Sequence, residues 1–427
     1  ADKRASFEKV VLTEKQYGEE LERIHSRLLP LINICRSNNT AVRVGVNHGS
    51  LSDRIMTRYG NTPEGMAVSA MEFIRIFSAE NYRNLVLSMK SSDTAIMIRA
   101  TRILVRMMQD EGFSFPLHLG VTEAGEGEDG RVRSAAGIGA LLSEGIGDTI
   151  RVSLSEDPEK EIPVARKLVD FLPRGTASEK PGGGLTFTIP EEKPEILRRI
   201  RGPLVIANMS HFESLTQEAY RDAGFAIDEN SGALTRRDGT ADLVMASCCP
   251  EVIPGEAILA VPYKIWMANR DKENLFPLFS PETYASSSVK SDRLNIILTG
   301  PHFDHELLSK PDSKNCILVY AFNGEKEKYA PEKLFSALQE TGKKINVILY
   351  PLFSENNTED LYIKASALLG RYVTDRQASG IALSNKGGIE FRDIVSLCFS
   401  ILQCTGARIT RTIFLSCPTC GRTKFNL

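Results

Sequence analysis

The stretch AVRVGVNHGS (residues 41–50) decides the fold, because the same kind of phrase recurs three more times before residue 170. The other copies are NLVLSMKSSD (84–93), PLHLGVTEAG (116–125) and DTIRVSLSED (148–157). Each copy starts with an apolar run, which is typical of a strand covered on both faces, and ends in polar residues before an amphipathic helical pattern. We therefore predict four βα units, which amount to half of an eightfold TIM-type barrel.

Polar side chains recur at the carboxyl end of each predicted strand, where α/β folds build their sites. They are Asn47, His48, Lys90, Glu123, Arg151 and Ser153. Taken singly, each is more often a solvated loop residue, so the recurrence at one structural position is the stronger signal. Cationic groups with Asn and Ser suit a phosphorylated substrate. Glu123 stands where such barrels place an acid–base group.

The segment GEGEDG (residues 125–130) has the spacing of a dinucleotide-binding loop, G-x-G-x-x-G. Its acidic residues would face the pyrophosphate oxygens, where that loop needs bare backbone amides. We interpret it as an acidic turn that precedes a helix.

Residues 172–187 are rich in Gly, Pro and small polar residues, so we interpret them as a linker. Strand-like runs then resume at PLVIANMS, ADLVMASC, LNIILTG, NCILVYAF, INVILYPL and GIALSN, with helical patterns between several of them. This rhythm predicts a second, barrel-like α/β domain.

Composition excludes several classes of protein. The 52 Lys and Arg against 54 Asp and Glu leave a net charge of −2, so no global basic field favours nucleic acid or an anionic membrane surface. No run of about 18 apolar residues could span a bilayer. The eight cysteines are thinly spread over 427 residues, which favours reduced thiols in a reducing compartment.

The last residues contain CPTCGRT, in which Cys417 and Cys420 form a knuckle that can point two sulfurs at one metal. The knuckle alone does not distinguish zinc from an iron–sulfur cluster, and redox or structural roles stay open. Cys398 and Cys404 lie in a helical pattern more suited to packing. A non-catalytic zinc-knuckle barrel that binds a phosphorylated ligand is therefore an alternative to an enzyme.

Four motifs resemble the 4-hydroxy-3-methylbut-2-enyl diphosphate synthases of the non-mevalonate isoprenoid pathway. They are VNHGSLSDRIMTRYG (46–60), LGVTEAGEGEDGR (119–131), DTIRVSLSEDP (148–158) and SCPTCGRT (416–423), in the order of that family. The region between the last two resembles the insert of the large plant and bacterial form. The family reductively opens 2-C-methyl-D-erythritol 2,4-cyclodiphosphate with electrons passed singly through a [4Fe-4S] cluster.

The resemblance implies a domain plan. Residues 1–172 would be the C-terminal half of the substrate-binding TIM barrel, 173–405 a linker and barrel-like insert, and 406–427 the start of a small α+β iron–sulfur domain. Earlier strands and the remaining cluster ligands are expected outside this segment, so we expect residues 1–427 alone to be inactive. The insert is expected to be a spacer without a second active site.

The resemblance also implies roles for residues and partners. Asn47, Lys90, Arg151 and Ser153 match diphosphate-holding positions, Glu123 matches a carboxylate implicated in proton transfer, and Cys417 and Cys420 match two cluster ligands. We also predict that His48 binds the substrate. The expected electron donor is ferredoxin or flavodoxin, in the bacterial cytoplasm or, for a plant or alga, the plastid stroma. The oligomeric state is open, with a homodimer among the candidates.

Overall fold

The computed structural model describes residues 11–172, 187, 189–190, 192–228, 231–250, 253–255, 257–304, 306, 310–311 and 314–413. They belong to two compact units, one within residues 1–174 and the other within 175–413. We call the first unit the half-barrel and the second the closed barrel. The predicted linker falls almost wholly on residues 173–186, outside the described residues, and so do Cys417 and Cys420.

The half-barrel alternates strands with helices, as the recurring phrase predicts. Its elements are α1 (Glu14–Ser37), β1 (Val42–Asn47), α2 (Asp53–Tyr59), α3 (Pro63–Ala79), β2 (Leu85–Lys90), α4 (Thr94–Asp110), β3 (His118–Leu119), α5 (Gly127–Ser143), β4 (Thr149–Ile150) and α6 (Glu161–Phe171). Helix α1 begins with a capping box, in which the Thr13 side chain accepts from the Gln16 amide and Gln16 accepts from the Thr13 amide.

The four strands of the half-barrel are parallel and follow one another in chain order. Strand β1 pairs with β2, and β3 pairs with β4. A parallel bridge between Leu87 and Leu117 joins the two pairs. On β2, Leu85, Leu87 and Met89 are at most 2 % exposed, and the helices pack on this face. The predicted half of a TIM-type barrel is confirmed.

A buried polar cluster fastens α1 to the next two helices. The Arg54 guanidinium donates to the Tyr17 hydroxyl oxygen at 2.7 Å and to Glu72 Oε1 at 2.8 Å. The Arg54 and Glu72 side chains are only 5% and 4% exposed. Burial raises the pKa of the Tyr17 hydroxyl, so it stays a neutral donor to Glu72.

The closed barrel carries more elements than the sequence indicated. They are β5 (Leu204–Asn208), α7 (Gln217–Asp222), β6 (Ala226–Ile227), β7 (Leu234–Thr235), β8 (Leu243–Met245), β9 (Leu259–Pro262), α8 (Tyr263–Met267), β10 (Leu275–Phe279), α9 (Pro281–Ser286), β11 (Asn295–Thr299), β12 (Cys316–Asn323), α10 (Ala330–Glu340), β13 (Asn346–Phe353), α11 (Thr358–Thr374), β14 (Gly380–Ala382), β15 (Ser384–Asn385) and α12 (Phe391–Cys404).

Eight parallel strands close this barrel in the order β5–β8–β9–β10–β11–β12–β13–β14, and β14 pairs again with β5. The short β15 adds to β13, and β6 with β7 makes a small antiparallel ribbon. The interior is filled by apolar residues from successive strands, among them Ile206, Ile296 and Ile348, each at most 1 % exposed. The predicted barrel-like insert is confirmed as a complete α/β barrel.

Two barrel strands, β9 and β10, were not expected from the sequence. Both contain proline, at Pro262 and Pro277, and proline in a run is usually evidence against a central strand. Pro277 nevertheless pairs in register with Val261.

An ion-pair clamp lies at the amino end of β5 and β8. The Asp242 side chain is 0% exposed and accepts from the Val205 amide at 2.8 Å. Arg236 donates to Asp242 Oδ1 at 3.0 Å and Arg408 donates to the same oxygen at 3.1 Å. Arg408 also donates to the Pro203 carbonyl at 3.0 Å.

Residues 406–413 therefore pack with the closed barrel, although the domain plan placed them in a third domain. Residues 414–427 lie outside the described part of the chain, so that third domain stays a prediction. Within the described part, no helix has the length and apolar character needed to cross a membrane.

Candidate active site on the half-barrel

Backbone hydrogen bonds hold the four strand ends of the half-barrel side by side. Each bond joins the segment that follows one strand to the end of the neighbouring strand or to the segment that follows it. The bonds are His48 N to Lys90 O at 2.9 Å, Thr122 N to Ser91 O at 3.0 Å, and Ser155 N to Gly125 O at 3.0 Å. The loops that carry the predicted site residues therefore form one continuous row.

Asn47 and Lys90 are register partners at the ends of β1 and β2. Partners in parallel strands project from the same face, and neighbours along the strand project from the opposite one. Val46 and Met89, which immediately precede them, are buried. A Cβ added to Gly45 would lie 3.5 Å from Lys90 Cδ, so the lysine stem crosses over this glycine. Asn47 and Lys90 thus share the face that the helices leave uncovered.

Arg151 and Ser153 continue the row after β4. The Arg151 amide donates to the Leu119 carbonyl at 2.8 Å, which places it beside β3. The Arg151 side chain is 64 % exposed and lies 3.4 Å from Glu161, a carboxylate only 17% exposed. Because the Arg151 side chain is exposed and the contact is long, water screens this pair, and a multiply charged anion can compete with Glu161 for Arg151. Ser153 is half-buried between the buried Val152 and Leu154.

Glu123 follows β3 in the left-handed backbone region, with φ of 55°. Its side chain is half-buried, and its carbonyl accepts a long hydrogen bond of 3.5 Å from Arg133 Nη1. Arg133 lies on α5 and is only 5% exposed. A non-glycine residue with positive φ is uncommon and marks a loop that its surroundings hold in place.

Arg133 was not predicted from the sequence. A signal was present, since an arginine stands on the buried face of a helix otherwise rich in Gly and Ala, RVRSAAGIGALL. A buried guanidinium next to a strand-end loop is a reason to look for an anion or a carbonyl nearby.

His48, by contrast, is engaged with a neighbouring loop. Its Nε2 lies 3.2 Å from the Asn61 carbonyl oxygen, and the adjacent Gly49 amide donates to Asn61 Oδ1 at 2.9 Å. These contacts fasten the loop after β1 to the start of α3. A substrate contact from His48 stays a prediction.

His118 on β3 is a second residue that was not predicted from the sequence. Its Nδ1 lies 2.8 Å from Thr149 Oγ1 on β4. Burial lowers the pKa of His118, and the positive charges of Arg43 and Arg151 act in the same direction. The alternation of side chains along a strand could have indicated it, because a polar residue within a short apolar run is expected to project from the face that the helices leave uncovered.

The GEGEDG segment is an acidic turn, as interpreted from its charges. Helix α5 begins at Gly127, whose amide donates to Glu156 Oε1 at 2.9 Å. Arg131 also binds Glu156, at 2.5 and 3.1 Å, and this contact lowers the pKa of the carboxyl. A protein carboxylate thus occupies the helix N-terminus that a pyrophosphate would need.

Within the described part of the chain, no three His, Cys, Asp or Glu side chains are grouped as metal ligands. Cys398 and Cys404 are buried in α12, and burial strongly raises the pKa of the Cys398 thiol, which disfavours the thiolate. Their predicted packing role is confirmed.

Comparison with known proteins identifies the family. Residues 16–166 match the GcpE TIM-barrel domain. The whole chain is 38% identical to the 4-hydroxy-3-methylbut-2-en-1-yl diphosphate synthase (flavodoxin) of Phocaeicola vulgatus, and it covers 68% of that protein. This chain belongs to the 4-hydroxy-3-methylbut-2-enyl diphosphate synthase family.

Other members of the 4-hydroxy-3-methylbut-2-enyl diphosphate synthase family are similarly related. Identity is 40% to the flavodoxin-type enzyme of Bacteroides fragilis, of which the chain covers 66%. It is 34% to the ferredoxin-type chloroplastic enzyme of Oryza sativa, of which it covers 62%. The chain thus spans about two thirds of the length of these relatives. The matched domain, residues 16–166, contains all six predicted strand-end residues.

Proposed function

We propose that the half-barrel holds 2-C-methyl-D-erythritol 2,4-cyclodiphosphate while its ring is reductively opened to 4-hydroxy-3-methylbut-2-enyl diphosphate in the non-mevalonate isoprenoid pathway. The observation that supports this proposal is the row of strand ends, in which Asn47, Lys90, Arg151 and Ser153 lie at the carboxyl ends of neighbouring parallel strands. Family membership supports the reaction.

The residues at the strand ends have different roles in this proposal. Lys90 and Arg151 bind the phosphate oxygens with charge-assisted hydrogen bonds, and Asn47 and Ser153 donate further hydrogen bonds that fix the orientation. Glu123 carries a proton beside the ring, because ring opening with loss of water needs protons as well as electrons. Arg133 positions Glu123 through the Glu123 carbonyl.

Reductive ring opening requires a cofactor that delivers electrons and a protein that donates them. Cys417 and Cys420 would supply two thiolates to a [4Fe-4S] cluster, which would deliver electrons one at a time. The donor is flavodoxin or ferredoxin, in line with the names of the relatives in Phocaeicola vulgatus and Oryza sativa. The similarity to the bacterial relatives supports a bacterial cytoplasmic enzyme, and the rice relative supports the plastid stroma if the source is a plant or alga.

The test of this proposal is the Arg151→Ala variant of the complete protein. Loss of one charge-assisted hydrogen bond to the diphosphate, worth roughly 1.5–3 kcal/mol, should weaken substrate binding about ten- to a hundredfold. Lys90→Ala should behave in the same way. Binding is measured by isothermal titration calorimetry with the cyclic diphosphate.

The matched control for that experiment is Arg99→Ala. Arg99 lies on α4, is 69% exposed and pairs with Glu64 at the surface, so it has the residue type and exposure of Arg151 without its position. Unchanged affinity in either Arg151→Ala or Lys90→Ala would refute the assignment of the diphosphate site.

His118 provides an independent spectroscopic readout. Diphosphate bound between Arg151 and Lys90 should raise the pKa of His118, because a nearby anion favours the imidazolium form. The shift is measured by NMR titration of the imidazole with and without the cyclic diphosphate, with chloride at equal ionic strength as the control. A pKa of His118 that does not move on saturation with ligand would contradict this placement.

A further inference from the structure

A large open cavity of about 1040 Å³ lies beside the amino ends of β5 and β8, two strands of the closed barrel. Its walls come from the segments before these two strands and from the segment after α12. Among the residues that the structure describes, five arginines line it, and they are Arg199, Arg201, Arg236, Arg237 and Arg408. The carboxylates in this described lining are Asp238 and Asp242, so it carries an excess of three positive charges.

The buried carboxylate is already neutralised. Asp242 is 0% exposed and pairs with both Arg236 and Arg408, so this trio keeps one positive charge. Arg236 Nη1 is a buried nitrogen that has no hydrogen-bond partner within the described part of the chain. A buried donor without an acceptor costs free energy, so the polar groups of Arg236 are incompletely satisfied by the protein itself.

Burial and neighbouring positive charges both lower the pKa of basic groups in and beside the cavity. Burial lowers the pKa of Arg236, and repulsion from Arg199 and Arg408 adds to this effect against the attraction of Asp242. Burial likewise lowers the pKa of the neighbouring Lys193, and Arg408 contributes in the same direction. A bound anion would relieve this repulsion between like charges.

The backbone leaves room for a ligand to approach. Gly239 and Gly406 line the cavity with φ of 86° and 70°, and a Cβ added to either would meet no atom within 4 Å. Arg199, Arg201 and Arg237 are exposed around the opening. The guanidinium fork matches phosphate oxygens in pairs, which makes clustered arginines typical of phosphate recognition.

We propose that this cavity is a second anion site, which binds a small molecule bearing a diphosphate group. The cavity has the volume of a small-molecule pocket, and its positive charges converge on one concavity instead of forming the extended stripe that a nucleic acid requires. The proposal stands on the closed barrel alone and does not depend on the half-barrel site. It revises the expectation that this domain is only a spacer.

The test is protection of arginines against phenylglyoxal in the whole chain, read out peptide by peptide with mass spectrometry. Inorganic pyrophosphate should slow modification of Arg199 and Arg201 at least about tenfold when saturating, while exposed Arg270, outside the cavity, should react at an unchanged rate. Dimethylallyl diphosphate is the second probe. Stronger protection by it than by pyrophosphate identifies an organic diphosphate, and equal protection identifies the diphosphate group alone.

A double variant, Arg199→Gln with Arg201→Gln, provides the matched affinity measurement. Each lost arginine contact should weaken pyrophosphate binding about tenfold, and Arg270→Gln should leave it unchanged. Protection of Arg151 is read from a different peptide, so failure at one site is distinguishable from failure at the other. Equal modification of Arg199 and Arg201 with and without both probes would overturn the proposal.

Discussion

Asp242→Ala is expected to destabilise the closed barrel by about 3–5 kcal/mol. Removing one partner of a buried ion pair is strongly destabilising, because the other charge stays buried without a compensating charge. Here the change strands two guanidinium groups, Arg236 and Arg408, which both point at the fully buried Asp242. It also leaves the Val205 amide without its acceptor at the start of β5.

The loss should spread beyond the carboxylate because Arg408 connects distant parts of the chain. It donates to Pro203 and to Asp242, so it joins the segment after α12 to the first two strands of the barrel. Asp242→Asn should destabilise less than Asp242→Ala, since the amide can still accept a hydrogen bond although the charge is lost.

Trp266 makes the measurement specific for the closed barrel. It is the only tryptophan of the chain, lies on α8 and is 6% exposed, so its fluorescence follows unfolding of this unit. Urea unfolding curves of the variants give the change in the free energy of unfolding. Asp238→Ala, at an exposed position in the same loop, is the control and should change it by less than about 0.5 kcal/mol. A loss below about 1 kcal/mol for Asp242→Ala would mean that the clamp adds little.

The strands of the half-barrel could be predicted because their apolar runs end in polar residues at a fixed place in each unit. The positions of Asn47, Lys90 and Arg151 followed from that rule, since side chains at the carboxyl ends of parallel strands meet at one edge. Strands β9 and β10 could not be predicted in this way, because Pro262 and Pro277 interrupt the apolar pattern. Closure of the barrel places β9 and β10 side by side, so they pair although proline disfavours a central strand.

The remaining features depend on contacts between residues that are far apart in the chain. Arg408 and Asp242 are 166 positions apart, and neither segment contains a sequence motif that predicts contact with the other. Arg133 is close to Glu123 in sequence, but its role depends on which face of α5 is buried. A single sequence reveals periodicity within an element, whereas these partners are selected by the packing of elements on one another.

In the complete protein, Glu123→Gln is expected to leave substrate binding nearly unchanged and to lower turnover by about 10²–10⁴-fold, the usual contribution of a positioned acid–base group. Glutamine keeps the size and polarity of the side chain but has no ionisable proton to transfer. The backbone of residue 123 should also be preserved, because its φ of 55° is held by the loop and by the Arg133 contact to its carbonyl, neither of which involves the carboxylate.

Two measurements separate the outcomes of the Glu123→Gln experiment. Calorimetry with the cyclic diphosphate reports binding, and turnover at saturating substrate with a strong one-electron donor reports chemistry. Glu126→Gln is the matched control, because Glu126 is exposed three positions further along the same loop and its side chain makes no capping hydrogen bond to α5. Near-normal turnover of Glu123→Gln would remove this carboxylate from the reaction. A large loss of affinity would instead assign Glu123 to holding the substrate, because a group that acts only by proton transfer lowers the rate and leaves the dissociation constant alone.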